Sequence, residues 1–264
     1  KQRGLNIDLK INHDLKDFLK NLIESNFKGT CDKIWHKKTT NFKRKYPIVL
    51  KNYYSQKNFV NPYVFIDKLS KILRKDDIII ADTGAHLTWT MQSFKVKKGQ
   101  KLFSAFGNSP MGYSLPASIG ASIVKRKKKI ICIDGDGSLQ INLQELHTVD
   151  KLKLPIKIFI FNDKGYAIIK QFQEMYLDKR LEASKKGVSN PNFQKIARAF
   201  NINYNLIRSH KDLSKIKKLI NSNKSEFVEI KVKQNQKIIP KLQFGNPIED
   251  MSSLLTRKEF RENM

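Results

Sequence analysis

The chain has 264 residues, of which 40% are apolar, so it can bury the core of one large domain or of one domain plus part of another. Its formal net charge of +27 is spread along the sequence without a nucleic-acid recognition motif, and we therefore expect no specific nucleic-acid partner. The unbroken apolar runs are far shorter than the roughly 20 residues that span a bilayer, so we expect no membrane segment.

The first 60 residues give weak structural signals. Apolar residues at helical spacing between positions 15 and 23 predict a helix with Asp14 as its N-cap. Residues 24–62 are polar and aromatic, and we interpret them as a linker or a loosely packed entry segment. We find no signal peptide, and we interpret the two cysteines, Cys31 and Cys132, as reduced thiols of a cytoplasmic protein.

From residue 62 onward, short apolar runs alternate with longer segments of helical periodicity. The predicted strands are 77–82, 130–134, 156–161, 203–207 and 227–232, and the predicted helices are 64–72, 111–124, 139–149, 166–177, 191–200, 212–220 and 254–262. This alternation predicts an α/β fold, a doubly wound parallel sheet with helices on both faces.

Polar side chains stand at the ends of three predicted strands. Asp82 ends one strand, Asp134 and Asp136 end the next, and Asn162 and Asp163 follow a third. The carboxyl ends of parallel strands lie at one edge of the sheet, where open α/β folds bind their ligands. These side chains are therefore expected to converge on one site.

The Gly-Asp-Gly-Ser stretch at 135–138 combines an acidic side chain with features that favour phosphate. Its glycines permit a tight turn with backbone N–H groups facing an anion, and Ser138 is expected to cap a helix whose N-terminus attracts phosphate. Asp136 would repel phosphate unless a cation lay between them, and Mg²⁺ accepts this combination of ligands. Asp163 and the carbonyl of Gly165 are expected to supply further ligands.

Three reaction classes compete for this pattern. A dinucleotide oxidoreductase would need G-x-G-x-x-G after a strand, and Gly107, Gly112 and Gly120 lack that spacing. A haloacid-dehalogenase-like phosphatase would use Asp134 as nucleophile and Asp136 as general acid. That family also needs a later acidic pair, which is absent after residue 163. The third class, thiamine diphosphate enzymes, carries G-D-G, a helix and a strand, and then N-N.

Four ordered motifs carry a close resemblance to the third class. Residues 82–89 (DTGAHLTW) are similar to D-x-G-Q-H-x-x-W, and residues 110–117 (PMGYSLPA) are similar to T-M-G-F-G-L-P-A. The Gly-Asp-Gly motif and residues 162–166 (NDKGY) complete the set. The chain from about residue 60 onward resembles the C-terminal cofactor-binding domain of acetolactate synthase-like enzymes, including versions associated with bacterial surface polysaccharide genes.

The resemblance implies a role for each residue of the site. Asp136 and Asp163 would bind Mg²⁺ by their side chains and Gly165 by its carbonyl. The residues implied at the cofactor are Gly84, His86, Gly135, Gly137, Ser138, Gly165 and Tyr166, with Met111 holding the cofactor bent and the Gly112 backbone near its aminopyrimidine. Met111 and Gly112 are thus the implied catalytic positions, through cofactor conformation.

Three positions depart from the family pattern. Asp163 replaces the second Asn of N-N and adds a negative charge. Ala85 replaces the Gln before the histidine, and Phe172 replaces the Trp that helps such enzymes to select an acceptor 2-oxo acid. Phe172 is therefore the candidate substrate residue, and the resemblance leaves the acceptor open.

The resemblance implies decarboxylation of a 2-oxo acid with transfer of the activated aldehyde to an acceptor. A simple 2-oxo acid decarboxylase, a catalytically silent interaction module and a basic nucleic-acid binder remain alternatives. In the family, an activating glutamate comes from an N-terminal pyrimidine-binding domain, which this chain is too short to contain. We therefore expect such a domain from a missing N-terminal region or a separate subunit.

The resemblance also implies a division of the chain and an assembly. Residues 1–60 correspond to a remnant of the middle domain and a linker, 61–233 to the thiamine diphosphate- and Mg²⁺-binding domain, and 234–264 to a C-terminal tail. A homodimer or tetramer is expected. FAD is a candidate cofactor of a full-length enzyme, because the middle domain of some members helps to bind it.

Overall fold

The computed structural model describes residues 8–30 and 32–264, and Cys31 lies outside the described residues. The chain separates into two compact units, Lys1–Pro47 and Ile48–Met264. Among the described residues, none of the helices combines the length and apolarity needed to cross a bilayer.

The described residues of the first unit form two helices. Helix α1 spans Leu15–Glu24, and the predicted cap is confirmed, because Asp14 Oδ1 accepts from the Lys16 amide at 2.9 Å. Helix α2 spans Lys33–Lys45, within the polar segment 24–62 in which the sequence predicted no helix. The sequence of α2 is mostly polar and basic, and it therefore lacks the apolar stripe from which periodicity identifies a helix.

The second unit begins with a short 3₁₀ helix at Lys51–Ser55 and contains most of the secondary structure. Its α-helices are α3 (Pro62–Ile72), α4 (Ala85–Ser93), α5 (Ser114–Val124), α6 (Leu146–Lys151), α7 (Ala167–Tyr176), α8 (Phe193–Ala199), α9 (Ile216–Asn221) and α10 (Arg257–Asn263). Its strands are β1 (Ile78–Ala81), β2 (Lys101–Phe103), β3 (Ile130–Gly135), β4 (Lys157–Asn162), β5 (Asn203–Ile207) and β6 (Glu226–Lys231). Two further 3₁₀ helices span Leu139–Glu145 and His210–Lys215.

The strands of the described chain form one parallel sheet in the order β2-β1-β3-β4-β6-β5. The predicted α/β fold with a parallel sheet is confirmed. Strand β2 and helix α4 were not predicted: β2 has only three residues at the sheet edge, and α4 has apolar and polar residues on all sides. The central strands β1 and β3 are buried along their whole length, as the continuous apolar runs of a covered parallel sheet require.

Helices cover both faces of the sheet, and alternate strand residues point to opposite cores. Ile79, Ile131 and Phe159 pack on one face with α3, α4 and α9. Ile80, Cys132 and Ile158 pack on the other face with α5, α6 and α8. Because both faces are covered, the strand ends at one edge are left to form a site.

Candidate active site

One cavity of about 220 Å³ lies at the carboxyl ends of β3 and β4. It is lined by Thr83, Gly84, Ala85, His86, Trp89, Met111, Gly135, Asp136, Gly137, Ser138, Phe161, Asp163, Gly165, Tyr166, Ala167, Ile168 and Ile169. All the site residues predicted from the sequence are in this lining except Gly112 and Phe172. The structure thus brings three of the sequence motifs, and one residue of the fourth, into a single concave surface.

Asp82, at the end of β1, acts as an anchor behind the cavity. Its Oδ1 accepts from the backbone N–H groups of Thr83 at 2.8 Å and Gly112 at 3.0 Å, and its Oδ2 accepts from the Ser114 amide at 2.6 Å. The Ser138 hydroxyl also donates to Oδ1. A carboxylate with this many protein donors ties the strand end to the loop before α5 and needs no metal ion.

Ser138 differs from the sequence expectation. Its hydroxyl caps no helix and instead donates to Asp82, and the segment that follows is a 3₁₀ helix from Leu139 to Glu145. The prediction of a Ser138 cap and of one continuous helix over 139–149 is therefore wrong. The buried carboxylate of Asp82 competes successfully for the hydroxyl, because a charge-assisted hydrogen bond is stronger than a cap bond to a neutral amide.

His86, in the first turn of α4, presents an unsatisfied nitrogen in the cavity wall. Its Nε2 is buried and has no hydrogen-bond partner among the described residues. Burial lowers the pKa of the imidazole to about 4, so the ring is neutral near pH 7. A Cβ added at Gly135 would lie 2.7 Å from the His86 ring, so glycine is required there for the ring to pack against the backbone.

Asp136 lies in the cavity wall at the end of β3 and is almost fully buried. Its Oδ2 accepts from Asn190 Nδ2 at 2.6 Å and from the Gly165 amide at 3.2 Å. Burial, and then the nearby charge of Asp163, raise the pKa of Asp136 to about 7. Two buried carboxylates, one of which disfavours ionisation of the other, form a donor set suited to a divalent cation.

Asp163, just after β4, faces the same cavity and pairs with a buried lysine. Its Oδ2 lies 2.6 Å from Lys170 Nζ. Burial raises the pKa of Asp163, and the charge of Lys170 opposes that rise. The cavity wall therefore contains two carboxylates, and a buried ammonium group is paired with one of them.

Gly165 adopts a backbone conformation with φ of +154° that disfavours other residues. A Cβ at this position would collide with the Ser184 carbonyl oxygen, which accepts from the Tyr166 amide at 3.1 Å. The loop after β4 is thus packed tightly under the segment that contains Ser184. This packing fixes the Gly165 backbone beside Asp136.

Met111 and Gly112 lie in the loop before α5. Met111 lines the cavity and is 38% exposed, so its side chain is available to a ligand. Gly112 lies behind it, with its amide directed at Asp82 and its carbonyl accepting from Asn142 Nδ2 at 2.6 Å. The Gly112 backbone is therefore held in place without lining the cavity.

Phe172 lies outside the cavity on the outer part of α7. Its ring packs against Tyr176, with ring centroids 5.0 Å apart, and against Phe244 of the C-terminal tail at 6.1 Å. The neighbouring Gln171 exchanges two hydrogen bonds with the backbone of Ile238. The tail thus covers this end of α7.

Sequence reasoning missed two polar residues at the site. Asn190 donates to Asp136 and, at 3.2 Å, to Asn162 Oδ1, so it connects two strand ends. Lys170 binds Asp163. Nothing in the sequence signals Asn190, which lies 54 residues after Asp136. The aspartate at position 163 did signal a need for a counter-charge, and Lys170 meets that need.

These features fit a diphosphate held through a divalent cation. Two carboxylates supply hard oxygen ligands, the buried His86 Nε2 offers a polar contact, and glycines keep the backbone accessible. The ligand atoms of Asp82, His86 and Asp134 also lie within 4.8 Å of one another, but Asp82 and Asp134 do not line the cavity. Comparison with known proteins identifies the family to which such a site belongs.

The family described as "Thiamine pyrophosphate enzyme, C-terminal TPP binding domain" matches residues 82–230. The chain therefore belongs to the thiamine pyrophosphate enzymes and contains their C-terminal cofactor-binding domain. The matched range begins at Asp82 and ends in β6, so it includes the cavity described above.

Several acetolactate synthase large subunits are similar to the chain. The protein from Cyanidium caldarium is 33% identical over 253 residues, which cover 93% of this chain and 42% of that protein. That from Lactococcus lactis subsp. lactis (strain IL1403) is 29% identical over 247 residues, covering 94% and 42% respectively. The corresponding protein of Pyropia yezoensis is 34% identical over 184 residues, covering 69% and 30%. The chain thus spans less than half the length of these curated relatives.

Proposed function

We propose that this chain is the Mg²⁺–thiamine diphosphate-binding part of an acetolactate synthase-like enzyme. The enzyme would decarboxylate a 2-oxo acid and transfer the resulting activated aldehyde to an acceptor. The observation that carries the proposal is the placement of Asp136 and Asp163 together in one cavity wall with His86 and Met111. The similarity to acetolactate synthase large subunits supports the same reaction class.

We assign the metal to the β3 and β4 strand ends. Asp136 and Asp163 would bind Mg²⁺ through carboxylate oxygens and Gly165 through its carbonyl, since Mg²⁺ prefers a few carboxylates together with phosphate oxygens. Asn190 would hold the Asp136 carboxylate in place through its 2.6 Å hydrogen bond. The division of the chain at residues 60 and 233 belongs to this proposal as well.

The remaining cavity residues would bind the organic part and the diphosphate. Neutral His86 would donate or accept a hydrogen bond through Nε2, without adding charge beside the metal. Gly84, Gly135, Gly137 and Ser138 would let the diphosphate approach the backbone, with Tyr166 at the rim. Met111 would support a bent cofactor beside the fixed Gly112 backbone. When bound, thiamine diphosphate supplies a carbanion-stabilising ring to the reaction.

The catalytic partner would come from outside the described residues. We assign the activating carboxyl group to a pyrimidine-binding domain, in a longer chain or a separate subunit, and expect a homodimer or tetramer. The binding of FAD by a full-length enzyme stays a prediction, as does transfer to an acceptor, whose identity is open. Phe172 would contact the substrate only from the rim, since it packs on Phe244 rather than in the cavity.

Calorimetry tests the proposal on matched variants. The parent chain, mixed with a pyrimidine-binding domain, should bind thiamine diphosphate only when Mg²⁺ is present. The Asp136→Ala variant should lose this metal-dependent binding by about a hundredfold, as loss of a direct metal ligand implies. The Glu249→Ala variant, which removes an exposed carboxylate, should bind like the parent.

Two results would contradict the proposal. Absence of metal-dependent binding by the parent chain, with the partner domain present, would favour a catalytically silent interaction module. Salt-sensitive DNA binding that Asp136→Ala leaves unchanged would favour a basic nucleic-acid binder. Turnover of pyruvate, followed by the release of CO₂ with and without a carboligation product, would separate a carboligase from a simple decarboxylase.

A further inference from the structure

Lys170 is a buried cation to which the proposed function gives no role. It lies in α7, and the side chains of Lys170 and Asp163 are 4% and 7% exposed. An ammonium group removed from water to this extent is costly unless it is paired and hydrogen-bonded. Its contacts therefore indicate why the fold retains it.

The ammonium group of Lys170 is held between the loop after β4 and the C-terminal tail. Nζ donates to Asp163 Oδ2 at 2.6 Å and to the backbone carbonyl of Gln234 at 2.9 Å. The Asp163 carbonyl lies 3.5 Å away. The loop after β4 and the tail together hold Nζ in one position. From that position the ammonium group contacts Oδ2 of Asp163 rather than Oδ1.

The charges of the site explain why a cation is useful at this position. Two carboxylates, Asp136 and Asp163, together cancel the double charge of a divalent metal ion. The metal would then present no net attraction to an anionic diphosphate. One lysine charge beside Asp163 restores a net positive balance in a buried site, where interactions between charges are stronger than in water.

We propose that Lys170 is the positioning and charge-balancing residue of this cofactor site. Its ammonium group holds Asp163 by Oδ2, leaves Oδ1 for the metal ion, and offsets the carboxylate charge that would repel the diphosphate. The inference rests on the proposed function and adds a residue to it. Asp163 and Lys170 then form one functional pair in cofactor binding.

Four chains test the pairing: the parent, Lys170→Met, Asp163→Asn and the double variant. Each also carries Trp35→Phe, so that Trp89 in the cavity wall is the remaining tryptophan. Quenching of Trp89 fluorescence by thiamine diphosphate, at several Mg²⁺ concentrations and with a pyrimidine-binding domain, gives cofactor affinity. Electron paramagnetic resonance of Mn²⁺ without cofactor gives the affinity for the metal alone.

The two single variants should fail in different ways. Lys170→Met should weaken metal-dependent cofactor binding by about tenfold or more, the amount that one unbalanced buried interaction typically costs. It should bind Mn²⁺ alone at least as tightly as the parent, because a repelling cation has gone. Asp163→Asn should weaken Mn²⁺ binding, because it removes a ligand and leaves Lys170 unbalanced.

The double variant should bind the cofactor more tightly than Lys170→Met, because removing both charges restores the net charge of the parent, and no more weakly than Asp163→Asn, because the lysine acts through Asp163. If the fold-losses in cofactor affinity of the two single variants multiply in the double variant, the two residues act independently, because the free-energy effects of independent sites add. That result would overturn the pairing. Equal weakening of Mn²⁺ and cofactor binding in Lys170→Met would indicate a merely structural lysine, and would also overturn it. If Lys170→Met does not fold, the cofactor affinities of Asp163→Asn and the double variant test the pairing instead. Weaker binding by the double variant would then overturn it.

The two levels of inference fail separately. If the parent and Asp136→Ala bind thiamine diphosphate alike, the proposed function is wrong. If Asp136→Ala abolishes metal-dependent binding while the four-chain comparison shows no coupling, the proposed function stands and only the role of Lys170 is wrong. Thermal unfolding of all four chains without cofactor shows whether an altered affinity reflects loss of fold.

Discussion

Two pairs of buried carboxylates lie at adjacent strand ends of this protein and have opposite surroundings. Asp82 and Asp134 lie behind the cavity, where Asp82 accepts from four protein groups and Asp134 accepts from the Ser114 hydroxyl at 2.9 Å. Asp136 and Asp163 face the cavity itself. One pair thus joins segments of the fold, whereas the other is available to a ligand.

The electrostatic surroundings of the two pairs follow the same division. Burial, and then the charge of Asp82, raise the pKa of Asp134 well above its ordinary value. Asp136 and Asp163 are balanced only in part by Lys170. Burial alone therefore does not distinguish the two pairs, whereas orientation toward the cavity does.

The largest expected effect contrasts matched substitutions in the two pairs. Asp82→Asn should lower the free energy of unfolding by about 3 kcal/mol, because its amide would face backbone donors at buried positions. Asp136→Asn should lower it by less than Asp82→Asn does, because relief of the repulsion from Asp163 offsets part of the cost of placing an amide against the Gly137 and Gly165 N–H groups. Urea unfolding of the cofactor-free chains measures both. Equal destabilisation by the two substitutions would contradict the distinction between the pair behind the cavity and the pair that faces it.

The next largest effect is the pH dependence that His86 gives to the free energy of unfolding. Its folded pKa of about 4 lies below the ordinary value of 6.5, so the unfolded chain binds more protons between these values. The free energy of unfolding should therefore fall by roughly 2–3 kcal/mol from this group as the pH drops from 6.5 to 4. His86→Gln should remove that part of the pH dependence, measured by urea unfolding at several pH values.

Exposed His147 supplies the control for that experiment. His147→Gln should leave the pH profile of unfolding close to that of the parent. A parent profile that His86→Gln does not flatten would show that the imidazole is hydrated in solution rather than buried between Gly84 and Gly135.

The smallest expected effect sharpens the description of the cavity-facing pair. Asn190→Ala should weaken metal-dependent cofactor binding by several-fold to about tenfold, because a group that orients a metal ligand is lost. It should change the free energy of unfolding by only about 1 kcal/mol, the worth of a typical hydrogen bond. Calorimetry with Mg²⁺ and thiamine diphosphate tests this, and unchanged binding would show that Asp136 is oriented by the backbone alone.

Much of the fold and of the site could be predicted because the determinants are local. Short apolar runs such as Ile78–Ala81 predict buried strands, and their alternation with helices predicts that the strands are parallel. Parallel strands bring Asp82, Asp136 and Asp163 to one edge without further information. Helix α2 was missed for the same reason, since its polar sequence carries no local signal of burial.

The sequence by itself therefore determined the α/β architecture, the edge of the sheet at which the cavity lies and the acidic groups there. Only the tertiary structure decided which partners those groups take. Ser138 turns to Asp82 rather than to its own helix, Asn190 reaches Asp136, and Gln234 of the tail holds Lys170. Such contacts join segments far apart in the chain, and they depend on how loops pack, which strand and helix periodicity does not encode.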